Sequence, residues 1–157
     1  MRKELDEKLC AKYPKIFVNR HGDMKETLMC WGFECGDGWY NIINQLCANI
    51  QNHIDWNNES HAKGFEQYKK IPQVVAVQIK EKFGTLRFYY SGGDDTISGI
   101  VRMAESMSAV TCEECGAPGQ LRGRGWMYTA CDVHTKEEHK IDETERQREM
   151  KASGLEE

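Results

Sequence analysis

The sequence predicts an α+β fold in which helices pack on a β-hairpin and a small cysteine-rich unit is appended. Two long stretches repeat apolar residues every three or four positions, a glycine-broken run at 74–90 is rich in β-branched and aromatic residues, and two close pairs of cysteine or histidine follow. The chain has 157 residues, 39% of them hydrophobic, which suffices for one core but not for two ordinary domains. We therefore expect an α+β body at 1–110, a ligand-bearing unit packed on it at 111–135, and a charged helix or tail at 136–157.

The first predicted element is a short helix over residues 2–13. Leu5, Leu9 and Tyr13 lie four residues apart among charged side chains, and Pro14 ends the helix because proline disfavours the helical conformation of the residue before it. Three apolar residues after the proline are expected to dock the chain on the core: Ile16, Phe17 and Val18. A short buried strand or turn is expected at 28–33.

A long amphipathic helix is predicted at 38–54. Its core-facing stripe has spacings of three and four residues and consists of Trp39, Ile43, Leu46, Ile50 and Ile54. Asp37 is expected to cap the first turn. The stretch 55–73 is polar and has no apolar period, so it predicts a long loop with one helical turn near 65–68.

An antiparallel hairpin and a third helix complete the predicted body. The hairpin strands are 74–82 and 85–90, separated by Phe83-Gly84, and strict alternation places Val75, Val77 and Ile79 on one face. The helix covers 95–109 and begins after Gly92-Gly93, with Asp94 or Asp95 as its cap.

The strongest motif consists of Cys112-x2-Cys115 and Cys131-x2-His134, which fifteen residues separate. Three thiolates and one imidazole form the soft tetrahedral ligand set that suits Zn²⁺. Four protein ligands close the coordination sphere, so the sequence predicts one structural zinc ion. His139 is an alternative to His134 as fourth ligand, although the two-residue gap of Cys131 and His134 mirrors that of the first pair.

The segment around these ligands resembles a treble-clef zinc finger over residues 111 to about 147. Gly116 follows the second cysteine as in a zinc knuckle, Gly123 and Gly125 are suited to a hairpin between the ligand pairs, and the second pair opens a polar segment. The resemblance implies a knuckle, a hairpin and a helix whose first turn supplies the last two ligands.

The remaining cysteines are predicted to be buried free thiols. A second metal site could be imagined from Cys30, Cys35, Cys47 and His53, but their spacing fits no common zinc pattern. Cys10 is likewise interpreted as a packing residue.

The predicted zinc hairpin carries a candidate binding surface. Its basic and aromatic residues, which could hold a phosphate backbone and stack on a base or serve as protein-interface anchors, are Arg122, Arg124, Trp126 and Tyr128. Nearby acidic residues oppose a nucleic-acid role, namely Glu113, Glu114 and Asp132. A solvated hairpin tip with Trp126 packed under the metal is the simpler interpretation.

Composition narrows the function classes. A net charge of −4 argues against a protein that coats nucleic acid, and the sequence has neither a membrane-length apolar run nor an export signal. We therefore expect a cytoplasmic protein without a membrane partner. A zinc-stapled HNH nuclease is disfavoured because residues 116–130 contain no histidine.

The order of motifs resembles a group of small proteins encoded by tailed phages and prophages. The motifs are Tyr13-Pro14, the segment 36–40, the segment 80–89, Ala104-Glu105-Ser106, the paired cysteines, and Trp126 ahead of the last ligands. The resemblance implies the cytoplasm of an infected bacterium and a helper role in counter-defence or host takeover. The resulting hypothesis is a zinc-stabilised, non-enzymatic interaction protein that binds a host protein. The alternative is a nucleic-acid-binding zinc finger, and a nuclease is the third possibility.

Overall fold

The computed structural model describes residues 1–123, 125–140, 148 and 151, and it confirms the α+β class. Arg124 and most of the predicted C-terminal segment lie outside these residues. The helices are α1 (Lys3–Lys12), α2 (Tyr40–Ala62) and α3 (Asp95–Ser108). The strands are β1 (Phe33–Glu34), β2 (Val75–Lys82), β3 (Thr85–Ser91), β4 (Gln120–Arg122) and β5 (Tyr128–Ala130). Short 3₁₀ turns occupy Leu28–Trp31, Asp37–Trp39 and Asp132–His134.

The first helix and its exit follow the sequence prediction with one exception. Leu9 and Ile16 are fully buried and Phe17 is nearly so, whereas Val18 is 65% exposed. The expectation that Val18 docks on the core is therefore wrong, because the chain turns after the two docked residues and directs the next side chain into solvent.

Helix α2 differs from the prediction at both ends. It begins after a 3₁₀ turn, and Asp37 does not cap it but pairs with Arg2. It continues to Ala62 through residues predicted to be a loop. The polar second half needs no apolar period because its side chains bind the loop that follows: the Asn58 amide pairs with both the N–H and the C=O of Ile71, at 2.7 and 3.0 Å.

Strands β1, β2 and β3 form one sheet in that order, with β1 parallel and β3 antiparallel to β2. The β2–β3 hairpin is confirmed, but the register shifts between Ala76 and Gln78. This bulge places Ala76 and Ile79 in the core and leaves Val77 exposed. The expectation that Val75, Val77 and Ile79 share one face is therefore wrong.

Helix α3 is confirmed and closes the free edge of β3. The Asp94 carboxylate caps it by accepting the Ile97 N–H at 3.0 Å. Ser108 and Glu105 accept the outward N–H groups of Leu86 and Phe88, at 2.8 and 3.0 Å. The inner face of the sheet shares one hydrophobic core with the three helices. Within the part of the chain that the structure describes, no helix has the length and apolar character needed to cross a membrane.

Replacing Asn58 by alanine should destabilise the fold by about 1–3 kcal/mol, since the buried backbone groups of Ile71 would lose their partners. Urea denaturation measures the change. Asn52→Ala is the control, because Asn52 is an exposed residue of the same helix. Equal stability of the two variants would contradict this role of Asn58.

Candidate metal centre

A tight knuckle positions the first two ligands. The Cys112 N–H donates to the Ala117 carbonyl at 2.8 Å, and the Gly116 N–H donates back to the Cys112 carbonyl at 2.9 Å. Gly116 adopts φ 78°, which favours glycine because it has no Cβ to clash. The glycine after the second cysteine therefore lets the chain turn around the two thiols.

The β4–β5 hairpin delivers the other two ligands. It pairs antiparallel from Gln120 opposite Ala130 to Arg122 opposite Tyr128, and Cys131 follows directly. His134 ends the 3₁₀ turn Asp132–His134. The treble-clef resemblance implied the first turn of a longer helix here, but the described helical residues begin only at 137.

The four ligand atoms converge. One atom from each of Cys112, Cys115, Cys131 and His134 lies within 4.8 Å of the others. Cys115 Sγ is 3.8 Å from Cys131 Sγ, and His134 Nδ1 is 3.7 Å from Cys112 Sγ and 3.2 Å from Cys131 Sγ. Tetrahedral zinc with ordinary bond lengths requires about 3.8 Å between two sulfurs and about 3.6 Å between sulfur and nitrogen. The side chains could therefore hold a metal ion with little rearrangement.

The cluster lies at the surface of the molecule with one buried wall. Cys112 is fully buried, Cys131 is partly exposed, and Cys115 and His134 are exposed. Backbone hydrogen bonding from His134 lowers the pKa of the Cys131 thiol. This favours the thiolate that a metal requires.

His139, the alternative fourth ligand, lies elsewhere. Its Nδ1 is 2.8 Å from the Tyr128 hydroxyl, and the two rings are 5.4 Å apart. The same hydroxyl accepts the Lys136 N–H at 3.0 Å. Tyr128 and His139 thus tie the chain after the ligands to the hairpin, and the structure brings His134 to the cluster.

The knuckle rests directly on the turn Gly36-Asp37-Gly38. The Gly38 N–H donates to the Glu113 carbonyl at 2.7 Å, and the Gly36 N–H donates to the Glu113 carboxylate at 2.8 Å. A Cβ on Gly38 would overlap the Cys112 carbonyl oxygen and lie 2.5 Å from the Gly116 nitrogen. Both glycines are therefore required because the two backbones approach so closely. The sequence showed the two glycines on either side of Asp37, but it did not predict that the knuckle packs against them.

Trp39 also supports the contact between the Gly36-Asp37-Gly38 turn and the knuckle. It is fully buried, and its indole N–H donates to the Thr111 carbonyl at 2.8 Å. Burial raises the pKa of Glu113, against the hydrogen bond from Gly36. The tryptophan at the start of the long helix therefore supports the ligand-bearing loop and presents no binding face of its own.

The hairpin makes a second contact with the body at the β2–β3 turn. Thr129 is buried and its hydroxyl donates to the Gly84 carbonyl at 2.6 Å. A Cβ on Gly84 would overlap Leu121. The unit is thus seated on the body at two separate turns.

The four residues predicted to form a binding surface on the hairpin have different environments. Arg122 is 4% exposed and pairs with Asp132 at 2.5 Å, so its guanidinium supports the hairpin instead of extending into solvent. Tyr128 is half-buried against His139, and Arg124 lies outside the described residues. Trp126 is 77% exposed, so it does not pack under the ligands.

Of the other cysteines, Cys35 and Cys47 are buried as predicted, whereas Cys10 and Cys30 are only partly buried. Burial raises the pKa of Cys35 to about 12, and burial with Asp6 raises that of Cys10 to about 12. Cys47 is also buried, and His53 binds the Asp94 carboxylate at 2.9 Å. Among the described residues, the cluster around Cys112 is the only group of such side chains close enough to hold a metal.

Replacing Gly38 by alanine should destabilise the protein by about 1–3 kcal/mol, because the added methyl group would collide with the backbone of the knuckle. Gly99→Ala is the matched control. Gly99 lies in α3 with open space around it, so the same change should stabilise by up to about 1 kcal/mol. Thermal unfolding of both variants measures the difference, and a stable Gly38→Ala protein would contradict the close seat.

Comparisons of the chain with protein-family models, with curated proteins and with solved structures find no match.

Proposed function

We propose that the cluster of Cys112, Cys115, Cys131 and His134 binds one structural Zn²⁺, and that the protein is a non-enzymatic binding protein whose surface this ion holds rigid. The observation that carries the proposal is the convergence of three sulfurs and one imidazole nitrogen at distances suited to a single tetrahedral ion.

The donor set selects the metal. Sulfur and imidazole ligands in a tetrahedral arrangement favour zinc over calcium and magnesium, which prefer oxygen. The knuckle adds backbone support, and the hydrogen bonding at Cys131 favours its thiolate. The four side chains of this chain supply all the ligands that a tetrahedral zinc ion needs.

The energetic need for a metal follows from the burial pattern. In the described part of the unit after residue 110, the buried apolar side chains are only Cys112 and Ala130. Neither belongs to the main core. A segment with so little apolar burial cannot offset the entropy of ordering its chain, so metal binding would supply that free energy.

A structural role is favoured over catalysis because four protein ligands leave no open position for water or substrate. The predicted partner is a macromolecule bound by a rigid surface. The resemblance to phage-encoded proteins favours a helper role in an infected bacterium, with a host protein as the partner class; that origin and that partner stay predictions.

Elemental analysis should find one zinc ion per chain. His134→Ala and Cys131→Ser should each lose most of it, while His139→Ala should retain it because His139 binds Tyr128. This pair of histidine variants is a matched control, since the same change is made five residues apart. Retention of zinc by His134→Ala with loss in His139→Ala would reverse the assignment.

Removing zinc with a chelator should destabilise the protein by at least about 3 kcal/mol, since structural zinc contributes about 10–16 kcal/mol of binding free energy in isolated finger peptides. Thermal unfolding with and without chelator measures this loss. Cys30→Ser, which changes a thiol outside the cluster, should show the same chelator sensitivity as the wild type. Unchanged stability after complete zinc removal would overturn the structural role.

A further inference from the structure

The outer face of the sheet presents a set of basic and aromatic side chains. Alternation along β2 and β3 directs Ile79, Leu86 and Phe88 into the core. The residues between them, on the opposite face, include neighbouring pairs across the two strands: Lys80 with Arg87 and Gln78 with Tyr89. Lys82 continues the same row to the β2–β3 turn.

The charge of this face is opposite to that of the whole chain. Lys80, Lys82 and Arg87 contribute three positive charges, whereas the chain carries a net −4. The adjoining strand adds one acidic side chain to this face, Glu34, which lies opposite Lys80 in the register and accepts a hydrogen bond from the Gln78 amide at 3.0 Å. With this carboxylate the face still carries a net charge of +2. The cations are therefore concentrated on one surface of an acidic protein, as a local contact with an anionic partner requires.

Exposed aromatic rings accompany the cations. Tyr89 is 41% exposed and lies under the Lys80 ammonium, 5.9 Å from its ring centroid. Phe83 is 66% exposed, with the Lys82 ammonium 5.4 Å from its ring centroid. Trp126 is 77% exposed. Large rings left in water contribute little to folding, so their combination with cations points to a ligand.

The conformation of Phe83 provides an independent observation. Among the residues that the structure describes, Phe83 is the non-glycine residue with a positive φ, which is 55°. With Gly84 at φ 79° it forms a two-residue hairpin turn, a position where asparagine, aspartate or glycine is ordinarily favoured. The left-handed conformation costs about 1–2 kcal/mol for such a residue. Since the ring is exposed, core packing does not explain why a phenylalanine occupies this site.

The rings of Phe83 and Trp126 line one shallow cavity of about 230 Å³. Its other lining residues are Gly125, Met127, Lys82, which links the cavity to the outer row, and Glu81, whose carboxylate accepts the Gly84 N–H at 2.6 Å. The body supplies one wall and the hairpin beside the metal centre supplies the other. Their relative position depends on the seats at Gly38 and Gly84.

We propose that this surface binds single-stranded nucleic acid, with Lys80, Lys82 and Arg87 contacting phosphates and Tyr89, Phe83 and Trp126 stacking on bases. The proposal rests on the zinc site of the proposed function, because zinc would hold the Trp126 wall in place, and it assigns this particular surface to nucleic acid and not to the host protein. Stacking requires bases that a duplex keeps paired, so a single strand is the preferred form. A protein partner fits less well, because lysine is depleted at protein interfaces.

Fluorescence anisotropy with labelled single-stranded RNA and DNA oligonucleotides of mixed sequence, and with the corresponding duplexes, tests the proposal. The zinc-loaded full chain should bind the single strands more tightly than the duplexes. Three phosphate contacts predict a slope of about −2 in a plot of log affinity against log salt concentration.

Variants separate stacking from charge. Tyr89→Ala and Trp126→Ala should each weaken binding about tenfold, which is within the range measured for base stacking on aromatic residues. Trp56→Ala is the control, because Trp56 is 64% exposed on α2, outside this surface. Lys80→Ala with Lys82→Ala leaves one of the three contacts and should make the salt slope shallower, at about −0.7. Lys69→Ala with Lys70→Ala, which changes two lysines outside the sheet, should leave the slope unchanged.

Zinc content and thermal unfolding of every variant distinguish this proposal from the previous one. If the zinc-loaded wild type binds no oligonucleotide, or binds it equally well after the aromatic and lysine changes, the nucleic-acid proposal is overturned while the structural zinc site stands. Equal binding of duplex and single strand, sensitive only to the lysines, overturns the stacking role. Loss of zinc from the wild type on purification overturns the proposed function instead.

Discussion

The fold depends on a close approach between two backbone segments that are far apart in sequence. The turn at Gly36 and Gly38 meets the backbone of the knuckle at Cys112 to Gly116 directly, and two N–H groups of the turn bind the carbonyl and the carboxylate of Glu113. Trp39 fills the space below and binds Thr111. This contact sets where the knuckle lies, and so where the first two ligands and the hairpin after them can be.

The α+β body and the ligand-bearing unit are stabilised by different interactions. The body has a continuous apolar core, and α3 closes the β3 edge because Ser108 and Glu105 accept the Leu86 and Phe88 N–H groups. The unit after it has few buried apolar groups and relies on backbone contacts, the Arg122–Asp132 pair and the convergent ligands. A surface formed by both the body and this unit therefore depends on hydrophobic packing on one side and on metal binding on the other.

Sequence reasoning predicted the elements whose signals are local. The periodicity of α1 and α3, the hairpin at β2 and β3, the Asp94 cap and the spacing of the four ligands all depend on neighbouring residues. It failed where distant contacts decide the outcome. Asn58 stabilises the polar end of α2 by binding Ile71, and a bulge in β2 places Val77 at the surface. The ion pair with Asp132 keeps the buried Arg122 side chain against the hairpin. None of these partners is specified by spacing along the chain.

The turn at Gly36 and Gly38 and the knuckle that packs on it are far apart along the chain, so they are synthesised at different times. The Gly36 N–H and the Glu113 carboxylate are 77 residues apart, so the turn and the underlying Trp39 leave the ribosome well before the segment that covers them. Loop closure over that distance is costly and comes late relative to local helix formation. The turn at Gly36 and Gly38 therefore lacks its partner until Cys112 and Glu113 have been made, so the contact that positions the metal ligands is completed only after most of the body has been synthesised.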